Sequence, residues 1–141
     1  MSNAVAVTKE KVQRYLTDFL GSVSIDRDGD FHVRSGSTMV FLRVVPFGET
    51  ESVVNIFAPT NRGVPESAEL YKYIATRRFY FGSLSAAAKD GAVNVSFQHN
   101  LLGEYLDPDE LRTALKGVAI SADALDDEIK SSFGGVRFHE S

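Results

Sequence analysis

The chain has 141 residues, 43% of them hydrophobic and 24% charged, the balance of a soluble globular protein with enough length to bury its own core. A formal net charge of −4 offers no basic field for phosphate backbones, and the absence of cysteine removes disulfides and thiolate chemistry, so nucleic acid is not an expected partner. The opening MSNAVAVTKEKVQRYL lacks a basic segment followed by a sustained apolar run, and no stretch approaches bilayer-spanning length; no signal peptide, no membrane partner and a cytoplasmic location are expected.

Val12, Leu16, Phe19 and Leu20, with Tyr15 beside them, recur at helical spacing and predict a helix over 8–20, capped by Thr8 and ended by Gly21. Val23 and Ile25, then Phe31 and Val33, alternate with polar residues on either side of Asp28-Gly29, a hairpin signal. The run TMVFLRVVPF from Thr38 to Phe47 is apolar on both pleat faces: Met39, Phe41, Val45 and Phe47 on one, Val40, Leu42 and Val44 on the other. Such a strand is central and covered on both sides, by helices or by a partner. Ser52 to Ala58 supplies the next strand, and Pro59-Thr60-Asn61-Arg62-Gly63 reads as loop. Pro65-Glu66 opens a second helix that carries Leu70, Tyr71, Tyr73, Ile74 and Ala75 and closes near Arg77 and Arg78. Phe79 to Ala88 and Ala92 to His99 form a hairpin across Lys89-Asp90-Gly91, with Val93, Val95 and Phe97 inward and Asn94, Ser96 and Gln98 outward.

Asp107-Pro108-Asp109-Glu110 starts a last helix with a cap, a proline at its first position and an acidic first turn. Leu111, Leu115, Val118, Ala122, Leu125 and Ile129 hold helical phase across Gly117, which favours one continuous helix ending at Phe133-Gly134-Gly135. At about 36 Å this helix is longer than so small a domain needs for its own core. The expected fold is α+β, a twisted antiparallel sheet with helices at the start, middle and end (α-β-β-β-β-α-β-β-α). It forms a single domain over 1–141, with an ordered core about 8–135 and short flexible tails.

Catalytic chemistry finds little support. Asp26, Asp28 and Asp30 suggest a calcium loop, but the sixth position from Asp26 is Phe31 and the twelfth is Ser37, where that loop needs Gly and Glu; a hairpin turn explains the run better. His32, His99 and His139 are not spaced as a metal site, with His32 solvent-facing, His99 half-buried at the end of an inward row and His139 in a tail. No serine lies in a GxSxG context, and neither GxGxxG nor a phosphate-loop lysine is present. No catalytic residue, metal ligand or cofactor is expected. The bases Arg62, Lys72, Arg77 and Arg78 and the acids along the last helix read as solvated faces, with steering of a partner or second copy as the alternative.

Four segments carry a family resemblance: YLTDFL at the end of the first helix, TMVFLRVVPF with VVNIFAPTN, PESAELYKYIATRRFYFGSLS, and ADALDDEIKSSFGG. Over roughly Thr8 to Gly135 the chain resembles the YbjN-like proteins and the type III secretion chaperone fold. The resemblance implies a helix–sheet–helix domain that holds polypeptide without nucleotide or metal, often as a homodimer, with a regulatory role described for some members. It supplies no catalytic residues.

From the residues themselves, the doubly apolar strand, the surplus aromatics and the long last helix point to a protein or peptide client. Tyr71 and Tyr73 stand two apart on a helix, so one of them faces solvent or another chain. Phe41, Val45, Phe47, Tyr71, Tyr73 and Ile74 are the expected peptide-binding or dimer surface. The alternative is a small-molecule-sensing regulatory domain or small hydrolase with a pocket between sheet and helices, for which Asn55, His99 and Arg43 are the internal polar candidates.

Overall fold

The computed structural model describes residues 3–141. Helix α1 (Ala4–Leu20) leads into β1 (Ser24–Ile25), β2 (Phe31–Ser35), β3 (Thr38–Phe47) and β4 (Glu51–Pro65). Helix α2 (Ala68–Thr76) precedes β5 (Ser83–Lys89) and β6 (Ala92–Leu102), and α3 (Pro108–Phe133) precedes a short strand β7 (Val136–Arg137) and a 3-10 turn (Phe138–Glu140). The strands form one antiparallel sheet in the order β1-β2-β3-β4-β6-β5, with β7 beside β4. The expected α+β architecture is the observed one, with β7 added.

Helix α3 forms as its sequence dictates. The Asp107 carboxylate accepts the Glu110 amide at 2.7 Å, Pro108 occupies the first turn, and the helix runs unbroken through Gly117 to its end at Gly134. Gly117 is where the Phe81 ring packs, only 2.9 Å from where a Cβ would stand. Leu111, Ala114, Leu115, Val118, Ala122, Leu125 and Ile129 are buried, so the apolar stripe is used along almost its whole length. The helix is as long as the sheet it covers requires, and none of its stripe is left over for a partner.

Pleat alternation decides the rest. In β3 the buried residues are Thr38, Val40, Leu42 and Val44, and in β4 they begin Ser52, Val54, Ile56, Ala58 and Thr60. These side chains meet α1 and α3 in a core with Val12, Leu16, Val93, Val95, Phe97 and Leu111. Helix α2 adds Leu70 to that core, so the described helices all lie on one side of the sheet. The other side, bearing Met39, Phe41, Arg43, Val45 and Phe47 of β3, has no described helix over it. Of the expected cover on both sides of β3, by helices or by a partner, the described helices supply one side.

Several boundaries differ from the sequence reading. Helix α1 starts at Ala4, so Thr8 is not a cap; it is buried inside the helix, and its hydroxyl meets the Ser52 hydroxyl at 2.7 Å. Glu104 completes this knot by accepting the Ser52 amide and hydroxyl, both at 2.8 Å. Pro59–Gly63 is not a loop but the second half of β4, which keeps pairing with β6 through two register shifts. Pro59 sits next to the first shift, where a missing amide is tolerated, and the Thr60 hydroxyl donates to the Val95 carbonyl at 3.1 Å. Pro65 therefore ends a strand, and α2 begins after Ser67, whose hydroxyl accepts the Leu70 amide at 3.1 Å. Phe79–Phe81 is not strand either: β5 starts at Ser83, just past Gly82, and β6 runs on past His99 to Leu102.

The Thr8–Ser52–Glu104 knot joins α1, β4 and the loop after β6, and Gly103 lies against it with its missing Cβ only 2.1 Å from Ser52 Oγ. Gly103→Ala must therefore break the knot or push α1 away. The expected cost is about 1–3 kcal/mol, seen as a lower urea midpoint with an unchanged slope.

Candidate functional site

The uncovered face is built around the β3–β4 ladder. Phe41 pairs with Phe57, Arg43 with Asn55, Val45 with Val53 and Phe47 with Glu51. The Phe41 and Phe57 rings stack at 5.3 Å and 15°, and the Arg43 guanidinium lies 5.4 Å over the Phe57 ring. Arg43 is held there by a two-pronged pair with Asp30 at 2.9 and 2.6 Å. Beside this apolar band runs a polar row in which Asn55 donates to Asn100 at 2.7 Å and to Gln98 at 3.3 Å. Phe47, 54% exposed, marks one end of the face, and Leu102, 49% exposed, its β6 side. Beyond Phe47 a groove of about 790 Å³ opens between Ala4 and Val5 of α1 and the β3–β4 turn. Antiparallel sheets that meet water on one face carry polar residues there; this one carries stacked phenylalanines.

Of the residues expected at the surface, Phe41, Val45 and Phe47 share this face. Tyr71, Tyr73 and Ile74 do not join them, because α2 lies on the helix side. Tyr73 packs on Phe133 at 5.3 Å and donates to Glu128 at 2.6 Å, Ile74 lies against the core, and Tyr71 is exposed with its hydroxyl donating to Glu66. Arg77, a candidate for steering, pairs with Glu128 at 3.2 Å and lies over Tyr73 and Phe79. Phe57 and Val53 complete the face, and a signal for them exists in the sequence: they are the non-core positions of an apolar strand adjacent to β3.

The polar candidates for a small-molecule pocket do not converge. Arg43 and Asn55 are cross-strand neighbours on the uncovered face, whereas His99 pairs with Ile56 on the helix side and stacks on Phe81 at 3.8 Å. Burial holds the His99 pKa below the usual imidazole range, against the raising effect of Glu110. Asp26, Asp28 and Asp30 lie within 4.8 Å of one another. Two of these carboxylates already have partners: Asp26 accepts the amides of Asp28 and Asp30, and Asp30 holds Arg43.

No periodicity or turn signal announces an element after Gly135, yet one is there. Arg137 and Val136 pair with Asn61 and Arg62 of β4. Phe138 meets Phe41 edge-on at 6.5 Å and lies under the Arg62 guanidinium at 4.6 Å. Arg137 pairs with Asp127 at 2.6 Å and Glu140 at 3.1 Å, Lys130 pairs with Glu140 at 2.9 Å, and His139 approaches Asp126 at 3.9 Å.

A family model described as "T3SS (YopN, CesT) and YbjN peptide-binding chaperone 1" matches residues 6–141. No curated protein matches. Among solved structures, the Yersinia pestis type III secretion chaperone SycH, crystallised in complex with a stable fragment of YscM2, superimposes with a TM-score of 0.52 at 17% identity. The match covers 84% of this chain and 98% of that one, and it shows a shared fold.

Asp126 is a buried carboxylate at the seam between α3 and the segment after it. Burial raises its pKa, as do Asp127 and Asp123, while His139 and Arg137 lower it less strongly. The folded chain therefore holds a proton there more tightly than the unfolded chain. The stability this contributes is present at acid pH and lost as pH rises through the raised pKa. Asp126→Asn removes the ionisation, so the melting temperature of the variant relative to the parent is expected to rise between about pH 4 and neutrality. Thermal unfolding of both proteins across that range measures the difference, and a flat difference contradicts it.

Proposed function

This chain belongs to the T3SS and YbjN peptide-binding chaperone family, and from that premise we propose that it holds an extended segment of a client polypeptide against the helix-free face of its sheet. The observation that carries the reading is the second apolar row of β3, continued by β4, with Phe41, Phe57, Val45, Val53 and Phe47 presented together. Apolar side chains of a client settle on the band, and its backbone amides meet the neighbouring Asn55, Gln98 and Asn100. The role is non-catalytic and needs neither metal nor nucleotide. Tyr71, Tyr73 and Ile74, on the other side of the sheet, are assigned to a dimer contact or to α2 packing rather than to client binding.

A cytoplasmic homodimer of one domain per chain, without nucleic acid as a partner, completes the reading. Its support is the net charge of −4 and the exposed apolar side chains Val7 of α1 and Ile120 of α3, which stand apart from the client face. No described helix is long and apolar enough to cross a membrane.

Purification of the protein from its host under gentle conditions, followed by mass spectrometry, is expected to recover a bound polypeptide. Phe47→Glu places a charge in the band at an exposed position, so it is expected to lower client affinity about tenfold or more while leaving the melting temperature nearly unchanged. A client bound equally well by this variant and by Phe57→Ser rules the face out. Sedimentation of Ile120→Glu tests the dimer separately: the parent sediments as a dimer and the variant as a monomer.

A further inference from the structure

The ladder between β3 and β4 runs from Phe47/Glu51 to Phe41/Phe57, and beyond Phe57 the two strands part. Into the gap comes the segment 136–140, with β7 pairing Asn61 and Arg62 on the side of β4 that β3 has left. Phe138 and His139 of this segment come against Ser37 of the β2–β3 turn, Thr38 and Met39 of β3, Pro59 of β4, and Ala122 and Asp126 of α3, and together these residues line a small slot. The slot has a definite chemistry. Asp126 lines the α3 side with the charges of Asp123 and Asp127 close enough to act on it, the Arg137 guanidinium answers Asp127, and Phe138 sits between Phe41 and Arg62.

The fit is imperfect. The buried Asn61 Oδ1 and Arg137 Nε, on paired residues, lack a hydrogen-bond partner among the described residues. Val136 is 41% exposed, and no residue of the 3-10 turn is buried. Side chains in the ion pairs with Asp127, Glu140 and Lys130 are 30–67% exposed, a setting in which water screens each pair and weakens its hold. Beyond these, the segment is held by two ladder pairs, the contacts of the Phe138 ring, the approach of His139 to Asp126 at 3.9 Å and the Arg137 amide donating to Glu140 at 2.9 Å, and it hangs from Gly134-Gly135, both at positive φ (88° and 75°). Gly135 in addition passes too close to the Arg62 carbonyl oxygen for any side chain.

We propose that this slot is a strand-acceptor site for an extended partner segment bearing a basic residue followed by an aromatic one, and that residues 136–141 are its resident self-ligand. The partner strand replaces β7 on β4, its basic residue meets Asp127, and its aromatic ring takes the place of Phe138 against Phe41. Because Phe41 also begins the helix-free band, displacement joins slot and band into one continuous track. The inference rests on the client-holding reading for the identity of the partner, but the slot itself is testable without a client.

The probe is a fluorescein-labelled peptide with the sequence of residues 134–141, followed by anisotropy. The intact chain keeps its own strand at high effective concentration, so the peptide is expected to bind it at least about tenfold more weakly than it binds a chain lacking residues 136–141. A full-length chain carrying Arg137→Glu and Phe138→Ala is expected to behave like the shortened one, and it decides the matter if the shortened chain does not fold. A peptide with the arginine replaced by glutamate is expected not to bind. Hydrogen exchange on the unaltered chain gives a second measure: the amides of Val136 and Arg137 are expected to exchange far faster than those of Val93 and Val95. Equal peptide binding by folded variant and intact chain overturns the proposal, as does exchange at Arg137 as slow as in β6. If the peptide result fails while Phe47→Glu still abolishes client capture, the slot falls and the client face stands. If the peptide binds as expected while no client is found on the face, the slot stands and the face falls.

Discussion

The structure depends on a geometric constraint: a strand has two faces, and β3 is apolar on both. Val40, Leu42 and Val44 are joined on one side by Val54, Ile56 and Ala58, and α1 and α3 cover them. The stripe of α3 from Leu111 to Ile129 is fully used on that side. On the other side, Phe41 meets the His32 ring at 6.1 Å and the edge of Phe138, and the Arg43 guanidinium lies over Phe57, but no described helix covers Phe41, Phe57, Val45 or Phe47. Burying a large apolar side chain is worth about 1.5–3 kcal/mol. A face with several of them half-exposed therefore carries a standing drive toward association.

Much of the fold is legible because local signals agree with tertiary needs. The Asp107 cap, Pro108 and an unbroken helical phase fix α3, and Asp90-Gly91, both at positive φ, turn the β5–β6 hairpin. Legibility fails where a local signal is overridden by contacts distant in sequence. Thr8 has the chemistry of a cap, yet its hydroxyl is needed by Ser52, 44 residues away, and the helix extends past it. Pro59-Thr60-Asn61-Arg62-Gly63 has the composition of a loop, but β6 lies beside it, and two bulges absorb the proline and the glycine. Segment 136–140 is too short to show any period, so only its neighbours in space reveal it.

The candidate site divides along the same line. Phe41, Val45 and Phe47 are recoverable because alternation places them on one face and because β3 has no polar row. Tyr71, Tyr73 and Ile74 stand out by aromaticity and spacing, which fix their positions around a helix but not the side of the sheet on which the helix lies. That side is set by Leu70 entering the core and by Tyr73 reaching Glu128 on α3. Phe57 lies in the strand expected over Ser52 to Ala58, and its stacking on Phe41 follows from a register that only the hairpin turn determines.

The gap beside β4 is a consequence of that same register. With Phe41 opposite Phe57, continuing the ladder brings Asn61 opposite Ser37, and Ser37 already belongs to the turn that joins β2 to β3. β3 cannot be extended to follow β4, whereas β6, on the other side, follows it as far as Pro65. The second half of β4 is thus an open edge by necessity, and an open edge invites another strand. A longer β3 would have sealed it for good. A short strand on two glycines, held by two ladder pairs, partly exposed ion pairs and a single aromatic ring, seals it reversibly, and the segment stays tied to the edge it guards. Edge protection and strand acceptance are therefore the same contact seen in two states, with the Phe41 ring the point at which it meets the helix-free face.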